Sequence, residues 1–284
     1  MGTDQIPTRR STRLGRRGLP VEGGLLASEV HPAEDGAQVR LVNRTRGDQV
    51  VRGAGGRALS LRVGTWNICG LNDERLEYVY SRGLDVVALT ETRGAHQELG
   101  SRRLITCEQP GAGDSGAGVA LALSERASGL VVGSGCVGAR IVWCRLGGLF
   151  RDTVVVGAYI PYQGKRKPPF QDETLDELAA FLRQLPKHIA VMVLGDFNSR
   201  LPRSRPGLTG KYSMHYYPDQ GGEKLLAIME ELDLYASSTG FQPRRRNKLG
   251  NATYIGKTAD SHPSQIDYIL VSPGRISQRQ SYKR

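Results

Sequence analysis

Six oxygen-bearing or amide side chains stand at or beside the ends of predicted strands, where α/β proteins commonly bind ligands. In chain order they are Asn67, Glu91, Tyr159, Asp196, Asn198 and Asp267. Carboxylate and amide oxygens suit a hard cation, Mg²⁺ or Mn²⁺, better than zinc. If these strand ends meet on one rim, the sequence predicts a metal site there.

Each of these residues also has a simpler explanation. Asp196, in the run GDFN, can cap a turn, and Asn67 can be a turn residue. Glu91 can be a solvated strand end and Tyr159 an ordinary core residue. Asp267 is harder to explain, because a carboxylate inside an apolar run must pair or bind a cation when it is buried. Their joint occurrence in this order favours a functional site.

The elements that must position these residues begin at Leu61, where the apolar pattern becomes regular. Alternating or continuous apolar runs predict strands at residues 61–68, 85–90, 116–123, 130–132, 141–146, 153–160, 190–194 and 266–271. Helical spacing predicts helices at residues 73–81, 172–185 and 222–232. Because strands outnumber helices, we expect packed sheets with helices outside them rather than an alternating βαβ barrel.

Residues 1–60 differ from the rest of the chain. They are rich in Gly, Arg and Ser and show no sustained period, so we predict a disordered basic arm. The five arginines among the first 18 residues can serve as a nuclear address or a nucleic-acid tether, or can have no particular role. The remainder, residues 61–284, is predicted to be one domain.

The composition narrows the class of protein. The 284 residues carry a formal charge of +11, of which residues 61–284 supply +7 (29 basic and 22 acidic side chains), and this favours polyanionic partners. No apolar run is long enough for a membrane helix or fits a secretion signal, so we expect an intracellular protein, nuclear or cytoplasmic. Four widely spaced cysteines suit a reducing compartment and argue against a zinc ribbon or a disulfide scaffold.

Five motifs in order resemble the endonuclease/exonuclease/phosphatase superfamily, most narrowly the apurinic-type endonuclease domains of non-LTR retrotransposons. They are TWNICGL at 65–71, LTETR at 89–93, AYIPYQG at 158–164, GDFNS at 195–199 and QIDYILVS at 265–272. Residues 209–241 support the narrower likeness, and the block NATYIG at 251–256 resembles the one that precedes the IDYIL strand. The resemblance implies a four-layer α/β sandwich of two packed mixed sheets flanked by helices.

The resemblance also implies Mg²⁺- or Mn²⁺-dependent cleavage of a DNA phosphodiester during retrotransposition, with a reverse transcriptase in the same or a neighbouring reading frame. Glu91 would hold the metal with Asn67 nearby, and Asp196 would orient or deprotonate the attacking water. Asn198 would contact the scissile phosphate or support Asp196, and Tyr159 would hydrogen-bond a phosphate oxygen. Separately, Arg140 would face the site as a substrate-binding residue, and Asp267 would orient a catalytic histidine.

The sequence also departs from the family pattern. The family ends in a strand bearing S-D-H, whereas the twelve residues after Ser272 contain neither Asp nor His, so we expect a missing C-terminal strand and impaired catalysis. Cys69 stands where many relatives carry a metal-associated Asp, and the Asp219–Gln220 pair replaces a usual Asn.

Two other functions therefore stay open: a DNA-binding remnant without catalysis and a phosphatase of the same superfamily. If the protein binds DNA, as an endonuclease or as a remnant, basic residues in two loops can contact the phosphates: Arg203, Arg205, Lys211, Arg244, Arg245, Arg246 and Lys248.

Overall fold

The fold was analysed in a computed structural model of the 284-residue chain. The structure describes residues 26–30, 61–93, 102–107, 118–149, 151–162, 170–242, 250–255 and 262–272. The basic residues predicted at 244–248 lie outside these ranges.

The first sheet is mixed and has five strands in the order β1-β2-β3-β5-β4. Its strands are β1 (Leu26–Val30), β2 (Leu61–Asn67), β3 (Val86–Thr90), β4 (Arg103–Thr106) and β5 (Val119–Leu123). Strands β2 and β3 run parallel, and the other pairs are antiparallel. The parallel pair places the ends of β2 and β3, and hence Asn67 and Thr90, side by side.

The second sheet is also mixed and has six strands in the order β10-β11-β9-β8-β7-β6. Its strands are β6 (Val131–Val137), β7 (Ile141–Leu146), β8 (Thr153–Tyr159), β9 (Ala190–Asp196), β10 (Tyr235–Ala236) and β11 (Asp267–Val271). Here β8 and β9 are the parallel pair. Strand β9 lies between β8 and β11, so the polar ends of all three strands meet.

Four helices and one short 3₁₀ turn complete the described fold. They are α1 (Asp73–Ser81), α2 (Glu125–Ser128), α3 (Phe170–Gln184), α4 (Gln220–Glu231) and the 3₁₀ turn Ser237–Gly240. Asp219 precedes helix α4 and caps it, because its Oδ1 accepts a hydrogen bond of 2.8 Å from the Gly222 amide.

Three apolar layers hold the sandwich together. Residues of both sheets form the central layer, for example Val63 and Leu121 from the first and Val155 and Ile269 from the second. Helices α3 and α4 pack their apolar faces on the outside of the second sheet, and α1 packs outside the first. This confirms the predicted sandwich of two mixed sheets flanked by helices.

One strand lies inside the segment predicted to be disordered. Strand β1 (Leu26–Val30) pairs antiparallel with β2, from Leu26 opposite Thr65 to Val30 opposite Leu61. The pairing supplies backbone partners along β2, which would otherwise have an open edge. The prediction of a structureless arm is therefore wrong for these five residues. The other residues of 1–60 lie outside the described part of the chain.

A disulfide between Cys107 and Cys136 joins the two sheets, with Cα atoms 5.7 Å apart. Cys107 follows β4, which is the end strand of the first sheet, and Cys136 lies on β6, at the end of the second. The sequence spacing argued against a disulfide scaffold and did not reveal this pair, because the pairing depends on the stacking of the sheets. Cys69 and Cys144 are not part of a disulfide.

We expect Cys136→Ser to lower the free energy of unfolding by about 3–4 kcal/mol, the chain-entropy value for opening a loop of about 29 residues. Urea unfolding of the oxidised protein measures this change. Cys69→Ser is the matched control, because it removes an exposed thiol and keeps a hydrogen-bond donor. Equal stability of Cys136→Ser and the oxidised wild type would contradict the prediction. So would a wild type whose free energy of unfolding does not change when a reductant is added.

Candidate active site

Strand β9 brings three of the predicted residues together at one end of the second sheet. Asp196 is the last residue of β9 and lies beside Tyr159 of the parallel strand β8. On its other side it lies opposite Asp267, the first residue of the antiparallel strand β11. The backbone continues this pairing, since the Ile160 amide donates to the Asp196 carbonyl (2.8 Å). Chain register alone therefore positions these three side chains.

Asn67 connects the two sheets at this end of the sandwich. Its Nδ2 donates to Glu91 Oε1 at 2.9 Å and to Asp196 Oδ2 at 3.0 Å. Its Oδ1 accepts from the backbone amide of Cys69 at 3.2 Å and lies 3.3 Å from the Cys69 sulfur. One amide thus bridges carboxylates from different sheets. The convergence that the sequence predicted for Asn67, Glu91 and Asp196 is present.

Two of the site residues have left-handed backbone conformations. Glu91 has φ of 54° and Asn198 has φ of 44°. Asn198 is held there by its amide, which donates to Asp196 Oδ1 (3.0 Å), and by its Nδ2, which donates to the Ile160 carbonyl (2.9 Å). Glu91 forms an ion pair with Arg93 and accepts a 2.7 Å bond at its carbonyl from the Gly70 amide. Such conformations in non-glycine residues persist where surrounding contacts enforce them, frequently at functional sites.

Asp196 is a buried carboxyl with an unusual affinity for protons. Only 3% of the residue is exposed, and this burial raises the pKa of Asp196 from 3.8 to about 6. The hydrogen bonds from Asn67 and Asn198 act in the opposite direction, and the charge of Glu91 raises the pKa further. A carboxylate with this pKa is a stronger base than an exposed aspartate and is still ionised at neutral pH.

Asp267 is buried next to Asp196 and shares its environment. Burial first, and then the charge of Asp196, raises the pKa of Asp267 well above its ordinary value. Thr253 hydrogen-bonds to the Asp267 side chain, and its Oγ1 also accepts from the Asp267 backbone amide (3.1 Å). Within the described ranges, Asp267 Oδ1 has no hydrogen-bond partner. Burying a polar oxygen without a partner is costly, and such an atom is a candidate for a ligand or water contact.

The histidine that Asp267 is expected to orient is not among the described contacts of the site. His262 is exposed in the loop before β11. His215 lies closer along the fold, where its Nε2 accepts from the Gln265 backbone amide at 3.2 Å. Burial lowers the pKa of His215, which keeps its ring neutral. Asp267 is instead opposite a second carboxyl, an arrangement that sequence order alone does not reveal.

Arg140 and Tyr159 occupy neighbouring positions beside Asp196. Arg140 lies directly before β7, and its carbonyl accepts a 2.9 Å bond from the Tyr159 amide. Its guanidinium lies 5.2 Å from the centre of the Phe170 ring, which restricts its direction. A cation and a phenol at the edge of a carboxylate cluster are suitable donors to an anionic group.

Two residues without a predicted role also belong to the site. Thr253 contacts Asp267, and Arg93 neutralises part of the charge of Glu91. Both lie within motifs that the sequence displays, NATYIG and LTETR, and this was the available signal.

The side chains present fit a lightly coordinated hard cation. Mg²⁺ usually takes one or two protein carboxylates and completes its shell with water and phosphate oxygens. Glu91 is such a carboxylate, with 18% of its side chain exposed, and the Asn67 amide is adjacent. In the described part of the chain, no three His, Cys, Asp or Glu side chains form a cluster that could hold a metal unaided. The donor chemistry therefore fits Mg²⁺ or Mn²⁺ and does not fit a closed structural site.

No helix among the described residues has both the length and the apolar character needed to cross a membrane.

Comparison with known proteins agrees with this geometry. Craniofacial development protein 2 of Bos taurus is 24% identical over 234 residues, which cover 78% of this chain and 37% of that protein. The chain thus spans little more than a third of that relative. The catalytic domain of APE2 from Xenopus laevis superposes with a TM-score of 0.55 at 18% identity, covering 75% of this chain and 82% of that one. The 3′ phosphatase NExo from Neisseria, solved with a product DNA hairpin, gives 0.53 at 17% identity, covering 75% and 87%.

These structural similarities show a shared fold. The sequence profile of the endonuclease/exonuclease/phosphatase family matches residues 64–282, about three quarters of the chain. That span includes every residue of the cluster around Asp196. The chain therefore belongs to the endonuclease/exonuclease/phosphatase family.

Proposed function

We propose that the protein is a metal-dependent DNA endonuclease that hydrolyses phosphodiester bonds and nicks target DNA in retrotransposition. The observation that carries the proposal is the bridge from Asn67 to Glu91 and Asp196, which brings the carboxylate proposed as the base beside the carboxylate proposed to hold the metal. Phosphodiester hydrolysis needs both, because water must be activated next to an already anionic group.

Asp196 is the base in this proposal. Its carboxylate is oriented by two donors, the Asn67 side chain and the Asn198 backbone amide, and the raised pKa makes it a competent proton acceptor. The attacking water would lose its proton to Asp196. The hydrogen bond from Asn198 Nδ2 to the Ile160 carbonyl keeps Asn198 beside Asp196.

Tyr159 and Arg140 bind the substrate phosphate in this proposal. Tyr159 lies beside Asp196 on β8, and Arg140 lies next to Tyr159 on the side away from Asp196. Both are donors whose hydrogen bonds strengthen as charge develops on the phosphate oxygens. Asn198 is the third polar group on that side. The net charge of +7 on residues 61–284 favours a DNA backbone over a neutral ester.

Glu91, with Asn67 nearby, would hold Mg²⁺ or Mn²⁺. When bound, the ion supplies positive charge to the phosphate and to the departing 3′ oxygen. Arg93, already paired with Glu91, keeps the carboxylate from being an uncompensated charge when no ion is present.

The role in retrotransposition, and a reverse transcriptase as partner, rest on the order of the sequence motifs. Residues 209–241 support the likeness to retrotransposon endonucleases. Nicking of target DNA would supply the 3′ hydroxyl that a reverse transcriptase extends.

A second candidate is a DNA-binding protein without catalysis. The observation that favours it is Asp267, because its Oδ1 has no partner in the described structure where the family would place a histidine. Such a protein would keep the basic surface and bind DNA without nicking it.

Supercoiled plasmid incubated with the purified chain separates these functions. Conversion to open circles in Mg²⁺, and none in EDTA, supports the endonuclease. Plasmid binding with no open circles in Mg²⁺ or Mn²⁺ supports the second candidate. Phosphate release from small esters without nicking would indicate a phosphatase of the same family.

We expect Glu91→Gln to raise the Mg²⁺ concentration for half-maximal nicking by tenfold or more, because an amide replaces the charged ligand. A Mg²⁺ titration of nicking rate measures this change. Glu77→Gln is the matched control, since Glu77 is exposed on α1 and pairs with Arg102. If both variants have the wild-type Mg²⁺ dependence, Glu91 is not the metal ligand.

A further inference from the structure

The loop between β9 and α4 presents two adjacent tyrosines to solvent. Tyr216 is 72% exposed and Tyr217 is 83% exposed, the two most exposed large hydrophobic side chains in the described structure. Tyrosine normally buries most of its ring, because the ring is a large apolar surface. We call residues 200–219 the tyrosine loop.

This loop is internally fixed. Ser213 Oγ donates to the Leu201 carbonyl at 2.6 Å, and the Arg200 amide donates to Asp219 Oδ1 at 3.0 Å. The Gly210 amide donates to Thr239 Oγ1 at 2.6 Å, which attaches the loop to the 3₁₀ turn. Aromatic rings on such a fixed loop lose little conformational entropy when they bind a flat partner.

The loop also carries positive charge around the rings. Between residues 200 and 219 there are four basic side chains and one acidic, a net charge of +3. The Arg203 guanidinium lies 4.7 Å from the centre of the Tyr216 ring, and its Nε donates to the Ser213 carbonyl at 2.9 Å. Lys211 is similarly placed over Tyr212 at 5.0 Å. Aromatic faces interleaved with cations are the pattern that binds unpaired nucleobases and their phosphates.

The tyrosine loop borders the active site on the β11 side. It begins two residues after Asn198, and its His215 ring accepts a hydrogen bond from the amide of Gln265, two residues before Asp267. A third exposed ring, Tyr162 (65%), follows Tyr159 on the β8 side. Because β8 and β11 flank β9, exposed tyrosines emerge on both sides of Asp196.

We infer that Tyr216 and Tyr217 stack on unpaired bases of the DNA beside the scissile phosphate, so that the protein prefers DNA with locally unpaired bases over a continuous duplex. The inference rests on the proposed function, since it assigns a DNA form to the same site. Bases inside an intact duplex are stacked on their neighbours and offer no free face to the rings. Phosphates of the same strand would lie against Arg203 and Lys211.

Fluorescence anisotropy in EDTA tests the inference without requiring catalysis. The probes are a labelled duplex with a short unpaired bulge, the fully paired duplex and the single strand. We expect wild-type protein to bind the bulged duplex and the single strand more tightly than the paired duplex. The double variant Tyr216→Ala/Tyr217→Ala should lose about 10- to 100-fold in affinity for unpaired DNA and little for the paired duplex.

Two further variants control for other causes. The double variant Tyr216→Phe/Tyr217→Phe keeps the rings and should keep the wild-type preference for unpaired DNA. If the tyrosines acted only through structural hydrogen bonds of their hydroxyl groups, this variant would lose the preference. Tyr78→Ala removes an exposed tyrosine from α1, away from the loop, and should bind like wild type.

Equal losses on paired and unpaired DNA, or no loss on either, would overturn the inference. So would a wild type that binds no DNA or shows no preference. Plasmid nicking measured in parallel reports on the proposed function separately, because base preference in EDTA can be present with or without nicking.

Discussion

Asp196→Asn is expected to slow Mg²⁺-dependent plasmid nicking by about 10²- to 10⁴-fold, the usual contribution of a positioned general base. The amide keeps the size of the carboxyl and can still accept from the Asn198 backbone amide at Oδ1. It cannot take a proton from water at neutral pH. The loss should therefore appear in kcat with the DNA affinity nearly unchanged, as measured by single-turnover nicking and by anisotropy.

The same substitution is expected to stabilise the metal-free protein above pH 6. The carboxyl has a folded pKa of about 6 against 3.8 when exposed, so the folded state holds its proton more tightly than the unfolded state does. The Asp196 carboxyl therefore stabilises the folded protein fully below pH 3.8, and this stabilisation is lost as pH rises through about 6. The difference corresponds to about 3 kcal/mol. Losing the bond from Asn67 costs about 1 kcal/mol, which leaves a net gain of about 2 kcal/mol.

Urea unfolding in EDTA at pH 5 and pH 8 measures this gain. Asp196→Asn should exceed wild type at pH 8 and approach it at pH 5. Asp176→Asn, on the exposed face of α3, is the control and should follow wild type at both values. A variant that loses both nicking and stability at pH 8 would show that Asp196 is a structural residue and not a destabilised base.

The pH profile of the wild-type reaction follows from the same group. Only ionised Asp196 accepts a proton, so kcat/KM should fall about tenfold for each pH unit below about 6 and level off above it. A rate that does not change between pH 5 and pH 8 would remove Asp196 from the role of base.

The sequence predicted most of the elements because local patterns dominate them. Helix α1 and strand β7 have the predicted bounds, since Asn72 caps the helix and the strand is apolar at every position except Arg145. Strands β1 and β4 were missed, because each is only four or five residues long and depends on a partner strand distant in sequence. The Cys107–Cys136 pair was missed for the same reason.

The sequence indicated which of the candidate residues would lie close together better than it indicated their contacts. Asn67, Glu91 and Asp196 converge as expected, because parallel strand ends meet by topology. What the sequence could not show is the register of β9 and β11, which places Asp267 opposite Asp196. That register, and the burial that raises both pKa values, are tertiary properties. A polar residue in an apolar run signals a functional site but does not name its partner.

The glycine before Asp196 connects the fold to the site, and Gly195→Ala is expected to cost more than about 4 kcal/mol, a value seen when the backbone must be displaced. A Cβ at this position would lie 1.8 Å from the Ala158 carbonyl oxygen and 2.8 Å from its carbon. Those atoms belong to the backbone of β8, which pairs with β9 through this residue. No rotamer change can relieve the overlap, so the parallel pair would have to separate.

Two other glycines provide a graded comparison. A Cβ at Gly157 would meet a side-chain atom of Val142, and not a backbone atom, at 2.9 Å, and one at Gly129 would meet nothing closer than 3.7 Å. We therefore expect the loss of unfolding free energy to be largest for Gly195→Ala, smaller for Gly157→Ala and near zero for Gly129→Ala, whose backbone is already helical. Urea unfolding of the three variants measures this order.

Nicking should fail in Gly195→Ala for a reason different from that in Asp196→Asn. The β8–β9 pair carries Tyr159 and Asp196 at its end, so separating the strands displaces the base from the phosphate-binding residues. Loss of activity would then accompany loss of stability, whereas Asp196→Asn separates the two. If Gly195→Ala were as stable as Gly129→Ala, the inference that β8 and β9 approach too closely for a Cβ at this position would be wrong. The glycine of the GDFN motif is thus required by the distance between two backbones, whereas the aspartate beside it is required by the reaction that we propose.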